Sequence, residues 1–258
     1  MRPLRVLILG GTGEASALAR AIAGDARIAP VLSFAGRTAS PVLPPIPCRV
    51  GGFGGVAGLA DYLRAQGIEA LIDATHPFAA QITAHAVEAA AIRAVPLLRI
   101  DRPEWRPEPG DCWTMVPDME AAARALGTAP RRVFLTIGQQ ELAPFRAVPW
   151  HHYVIRSVDP PAPAALPPDA AVITARGPFL EEAEQALLVK HGIEMLVTKN
   201  SGGTATAQKL AAARRLRLPV VMVARPPAPA LETVADAGAA LAWIEARLHD
   251  AASAPRGV

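Results

Sequence analysis

The run Gly10-Gly11-Thr12-Gly13-Glu14-Ala15-Ser16 is the first place where this chain could do chemistry. Gly11 and Gly13 match the first two glycines of G-x-G-x-x-G, and the small Ser16 stands where the third would. The run follows Val6-Leu7-Ile8-Leu9, so it reads as an apolar strand, a glycine turn and the first turn of a helix. That geometry aims backbone N–H groups at a phosphate; a plain chain reversal is the other reading. Gly10, Gly11, Thr12, Gly13 and Glu14 are therefore the candidates for cradling a dinucleotide pyrophosphate. A second strand ends Ser33-Phe34-Ala35-Gly36-Arg37, without the acid that accepts from an NAD ribose. Ser33 and Arg37 can donate to a 2′-phosphate instead, which favours NADPH over NADH; Arg37 as a solvated loop residue is the alternative.

Other polar residues fall at strand ends, where parallel sheets bind ligands. Leu71-Ile72 leads into Asp73-Ala74-Thr75-His76-Pro77-Phe78. Thr75 is placed to cap the next helix, and both Thr75 and His76 are expected beside the nicotinamide. A cap with a structural histidine is the competing reading. Arg99, Arg102 and Arg106 surround Trp105, a set that suits a flat anionic ligand or a solvated linker. Thr198-Lys199-Asn200-Ser201-Gly202-Gly203 repeats the strand and glycine-turn pattern, with Lys199 and Ser201 as anion contacts. Thr136 to Gln139 and Arg176 to Phe179 are weaker candidates of the same kind.

The elements that must position these residues alternate strand and helix. Strands are expected near 5–9, 28–34, 47–50, 69–73 and 95–99, with helices near 13–23, 56–66 and 79–93. A proline-punctuated crossing follows over 100–130, with a short helix near 118–126. A second alternating unit starts at Val133, with strands near 152–158, 171–175, 194–198 and 219–224 and helices near 179–191 and 203–217. A last helix spans about 237–248. This is the pattern of α/β domains with parallel sheets flanked by helices. A first domain over 1–130, for the dinucleotide, and a second over 131–258 are expected, their strand ends facing one another across a cleft if the domains pack head to head.

Composition narrows the function classes. The 258 residues are 51% hydrophobic but only 5% aromatic, enough for two aliphatic cores. Lys and Arg number 26 against 23 Asp and Glu, a surplus that suits acidic small molecules and is too dispersed for nucleic acid. Two unpatterned cysteines, Cys48 and Cys112, fit a reducing, cytoplasmic setting. No apolar run reaches membrane-spanning length. No metal-ligand spacing, triphosphate loop or hydrolase elbow occurs, and His151-His152 is a strand dipeptide pointing to opposite faces. A monomer is compatible with the chain.

Taken in order, Ile8 to Ala15, Asp73 to Ala79, Arg99 to Trp105 and Thr198 to Gly203 resemble the precorrin-6A reductase family of corrin-ring biosynthesis. The Asp-Ala-Thr-His-Pro-Phe and Thr-Lys-Asn-Ser-Gly-Gly blocks carry most of the specificity. The resemblance implies two Rossmann-like α/β domains with a ligand cleft between them, and an NADPH-dependent oxidoreductase acting on a CH–CH group. Hydride would add at C19 of precorrin-6A, reducing the C18–C19 double bond to give precorrin-6B. Its substrate would be an anionic tetrapyrrole-derived macrocycle, held by Arg99, Arg102, Lys199 and Ser201. No catalytic residue is assigned, with His76 the candidate proton donor beside water. A cobalt-precorrin-6A reductase and a non-catalytic NADP-sensing protein are the alternatives.

Overall fold

The apolar run Leu4–Leu9 forms β1, and Val6, Leu7 and Ile8 have no exposed surface. Burial on both faces explains the unbroken hydrophobic sequence. Val6 and Ile8 pack to one side and Leu7 and Leu9 to the other, the period-two alternation of a strand. The computed structural model describes residues 2–36 and 42–253, with side chains through 249. The chain divides into two units, Met1–Arg102 with Pro227–Val258, and Pro103–Pro226.

In the first unit, β1 is followed by α1 (Gly13–Ala21), β2 (Ile28–Phe34), β3 (Cys48–Val50), α2 (Gly55–Ala65), β4 (Ala70–Asp73), α3 (Ala80–Arg93) and β5 (Leu97–Ile100). The second unit carries β6 (Cys112–Val116), α4 (Met119–Ala125), β7 (Arg132–Thr136), α5 (Ala143–Arg146) and β8 (His152–Ser157). It continues with β9 (Ala170–Thr174), α6 (Glu181–Lys190), β10 (Met195–Lys199), α7 (Gln208–Arg215) and β11 (Pro219–Val223). The chain then returns to the first unit for β12 (Thr233–Val234) and α8 (Ala237–Ser253).

Both sheets are parallel throughout. The first runs β3-β2-β1-β4-β5-β12 and the second β9-β8-β7-β10-β11-β6. The first sheet has the 3-2-1-4-5-6 order of a doubly wound dinucleotide fold. The second shares its 3-2-1-4-5 part, with the outer sixth place taken by β6, which precedes the rest in the chain. Each has its topological switch point beside the central strand. α1 and α8 cover one face of the first sheet, and α2 and α3 cover the other.

The boundary differs from the expected 130. The chain leaves the first unit at Arg102, and its C-terminal segment comes back to close that unit's sheet. β6 escaped sequence reading because it is an edge strand with Cys112, Thr114 and Met115 exposed, so it lacks a continuous apolar run. β12 is two residues long. α7 starts at Gln208 rather than 203, because Gly202 and Gly203 take φ of +65° and +75° and keep the preceding turn out of the helix.

Candidate functional site

The switch point of the first sheet lies between β1 and β4, and the glycine turn follows β1 there. Gly10 donates its N–H to Ser33 O at 2.9 Å. A Cβ on Gly10 would meet Leu32 Cδ1 at 2.6 Å, so this position packs tightly on β2. Gly11 has φ of +117° with open space beside it, a conformation that L side chains rarely adopt. Thr12 caps α1 by accepting from Ala15 N at 3.2 Å, and its hydroxyl donates to Ala74 O at 2.7 Å. The cap ties the turn to the end of β4. Gly13 opens the helix. The turn thus has the open backbone that a phosphate-binding strand-to-helix crossing requires.

Glu14 follows Gly13 in the first turn of α1. Its carboxylate pairs with Arg102 Nη1 at 2.7 Å. Arg102 therefore neutralises a negative charge that would otherwise repel a phosphate in the first turn of α1. Arg99 is buried at the end of β5, with Nη2 3.8 Å from Asp101 Oδ1.

At the end of β4, buried Asp73 organises its own surroundings. Its Oδ1 accepts from Thr75 Oγ1 at 2.6 Å and Thr75 N at 3.1 Å, and its Oδ2 accepts from Thr83 Oγ1 at 2.6 Å. Thr75 accordingly does not cap α3; the cap position is Ala79, which has no side-chain bond. The short Thr75 side chain finds the carboxylate two residues back before it can reach α3. His76 Nδ1 accepts from Phe78 N at 3.2 Å, which in the neutral ring puts the proton on Nε2.

Ser33 is buried at the end of β2, and its hydroxyl oxygen accepts from Arg49 Nη1 at 2.7 Å. Arg49 is a residue that sequence reading missed; the signal lay in strand register, which pairs Arg49 with Ser33 across β3 and β2. Arg37 lies outside the described residues.

The second sheet has its switch point between β7 and β10. Lys199 at the tip of β10 pairs with Glu141 Oε2 at 2.9 Å, a carboxylate also missed in the sequence. Buried Asn200 accepts from Trp105 N at 2.9 Å and donates to Trp105 O at 3.1 Å. Trp105 Nε1 donates to Gly203 O at 2.7 Å, and Lys209 Nζ lies 4.9 Å from the ring centroid. Arg225 donates from Nε to Asn200 O at 2.9 Å and from Nη2 to Ser201 O at 3.1 Å. A Cβ at Gly202 would sit 2.2 Å from Pro103 O. The Gly202-Gly203 turn is thus built for close packing against the 103–105 segment, and Trp105 belongs to the second unit while Arg99 and Arg102 belong to the first. Ser201 Oγ lies 3.4 Å from Lys199 O. The weaker candidate Phe179 stacks on buried Arg156, with the guanidinium carbon 3.7 Å from the ring centroid.

No helix among the described residues is long and apolar enough to cross a membrane. Among those residues, no three His, Cys, Asp or Glu side chains gather as a metal site.

A family profile described as precorrin-6x reductase CbiJ/CobK matches residues 5–245. The precorrin-6A reductase of Rhodobacter capsulatus is 49% identical over 254 residues, covering 98% of this chain and 99% of that protein. A solved structure named CobK precorrin-6A reductase shares 49% identity at a TM-score of 0.89, covering 99% of this chain and 100% of that one. The cobalt-precorrin-6A reductase of Priestia megaterium is 30% identical over 178 residues, 65% of this chain and 69% of that protein.

Proposed function

The chain belongs to the precorrin-6x reductase CbiJ/CobK family, and on that premise we propose that it reduces precorrin-6A to precorrin-6B with NADPH in cobalamin biosynthesis. The observation that carries this reading is the match to a precorrin-6A reductase over nearly the whole of both chains. The weaker and shorter match to a cobalt-precorrin-6A reductase favours the metal-free ring.

When bound, NADPH supplies the hydride that adds at C19, and a proton completes reduction of the C18–C19 double bond. The protein's share is orientation and charge. Gly10 to Glu14 offer backbone N–H groups to the pyrophosphate, while Arg102 offsets the carboxylate charge of Glu14. Ser33 donates to the 2′-phosphate. Thr75, locked on Asp73, and His76 border the nicotinamide. Arg99, Arg102, Lys199 and Ser201 are the side chains offered to the acetate and propionate carboxylates of the ring. His76 or water delivers the proton.

An anaerobic absorbance assay with precorrin-6A and NADPH tests the proposal. NADPH loss coupled to a changed macrocycle spectrum is the expected outcome, with slower turnover on NADH and on the cobalt-loaded ring. Binding of NADPH without turnover of either ring would leave a non-catalytic NADP-binding protein and overturn the reductase.

A further inference from the structure

We infer that Arg49 is the residue by which this protein distinguishes NADPH from NADH, its guanidinium receiving the 2′-phosphate monoester. The inference rests on the NADPH reading above. It begins with register. Arg49, Ser33, Leu9, Asp73 and Arg99 form one rung across β3, β2, β1, β4 and β5 at the carboxyl edge of the first sheet. In a sheet of this strand order, the adenosine ribose is read at the end of the second strand. That strand here ends on Ser33 and Phe34, followed by Ala35 and Gly36, and offers no carboxylate. Arg49 brings a charged side chain into direct contact with Ser33.

The guanidinium is held in place before any ligand arrives. Nη1 donates to Ser33 Oγ at 2.7 Å and Gly51 O at 3.0 Å, and Nη2 donates to Gly52 O at 3.0 Å. Its carbon lies 3.9 Å from the Phe53 ring centroid and 5.2 Å from that of Tyr62. Of the five N–H donors of an arginine, the Nε–H and one Nη2–H have no partner among the described residues. These two sit on adjacent nitrogens, the arrangement that takes two oxygens of one phosphate. Ser33 accepts from Arg49 through its oxygen, so its own hydroxyl proton stays available as a further donor.

Charge points the same way. Five described arginines of the first unit are at least partly buried: Arg49, Arg93, Arg99, Arg102 and Arg247. Arg93, Arg99, Arg102 and Arg247 each have a carboxylate oxygen within 4.0 Å. Arg49 has none among the described residues; its acceptors are a hydroxyl and two carbonyls. A partly buried cation that neutral groups alone hold in place is incompletely compensated, and a dianionic phosphate monoester is the counter-ion that its fixed fork fits.

Binding of 2′,5′-ADP and 5′-ADP, measured by calorimetry, separates the 2′-phosphate from the rest of the nucleotide. The wild-type protein is expected to prefer 2′,5′-ADP. Arg49→Gln should weaken 2′,5′-ADP by roughly tenfold to a hundredfold and leave 5′-ADP within about twofold. Arg49→Lys, a point charge without the fork, should fall between. Equal weakening of both ligands by Arg49→Gln would reduce Arg49 to a clasp on the glycine loop, and no weakening of either would also overturn the inference. Should Arg49→Gln not fold, Arg49→Lys decides, since its preference for 2′,5′-ADP must drop. A wild-type protein that binds both ligands equally would overturn the NADPH reading itself, a failure distinct from a preference that persists in the variants.

Discussion

The two switch points share a strand order and differ in everything placed on it. In the first unit the central strand β1 passes through Gly10 to Gly13 straight into a nine-residue helix. In the second, the equivalent strand β7 passes through Ile137 and Gly138 into a short turn at Gln139–Glu141 and the four-residue α5. The first turn ends in a capped helix N-terminus. The second ends in a carboxylate, Glu141, that meets Lys199 from the neighbouring strand. Sheet topology therefore fixes where a ligand can be met, and the residues of the turn decide what is met there. The outer strand differs too. β12 reaches the first sheet from the end of the chain, whereas β6 joins the second from before its first central strand. An edge strand pairs on one side only, so a chain can supply it from either end without disturbing the order inside.

The sharpest test of this contrast substitutes the same residue type in both turns. Gly11 and Gly138 have φ of +117° and +92°, and each has open space where a Cβ would stand. Alanine should therefore strain either turn similarly, by about 1–3 kcal/mol of stability. Their effects on cofactor should diverge. Gly11→Ala is expected to weaken NADPH about a hundredfold, from strain plus misdirected N–H groups, while Gly138→Ala changes it by less than about twofold. Equal losses of NADPH affinity, measured by fluorescence titration, would break the comparison.

A smaller effect is expected from the second switch point. Lys199→Met should raise the KM for precorrin-6A about tenfold, the weight of one charge-assisted contact, without changing the NADPH dissociation constant. Glu141→Gln removes the carboxylate charge that competes for the lysine and should lower that KM. If Lys199 serves only to neutralise Glu141, the double variant will recover the wild-type KM, and the substrate role of Lys199 is lost.

The parts of this contrast that could be read in the sequence are those that leave a local pattern. β1, β2 and β4 stand out because strands covered on both faces are rich in apolar residues, and the glycine turn after β1 is contiguous. The strand before Lys199 and the glycines after it were legible for the same reason. Arg49 was not, because its partner Ser33 lies sixteen residues away and only register brings them side by side. Glu141 was hidden likewise, fifty-eight positions before the lysine it meets. Asn200 falls within a legible motif, yet its two bonds to the Trp105 backbone depend on where the 103–105 segment runs. The return of 227–258 to the first sheet is carried by a two-residue strand, too short for any periodicity.

The smallest expected effect concerns stability, and it divides the units again. His151 in the second unit is buried, with Nε2 3.2 Å from Gly127 O and Nδ1 enclosed without a partner. Burial lowers its pKa from the ordinary 6.5, Arg131 lowers it further, and the Gly127 carbonyl opposes them without reversing the direction. The unfolded chain therefore takes up a proton at a pH where the folded unit still refuses it. The stability that this histidine contributes is complete above about pH 6.5 and is lost as pH falls from there through the folded pKa. Hydrogen exchange between pH 7 and 5.5 should show protection in β7 and β8 declining more steeply than in β1 and β4. His151→Gln, whose amide can still donate to Gly127 O, should flatten that decline in the second unit and leave the first unchanged. An equally steep decline in both units, or one that survives His151→Gln, would remove the acid sensitivity from this residue and with it the last of the proposed differences between the two halves.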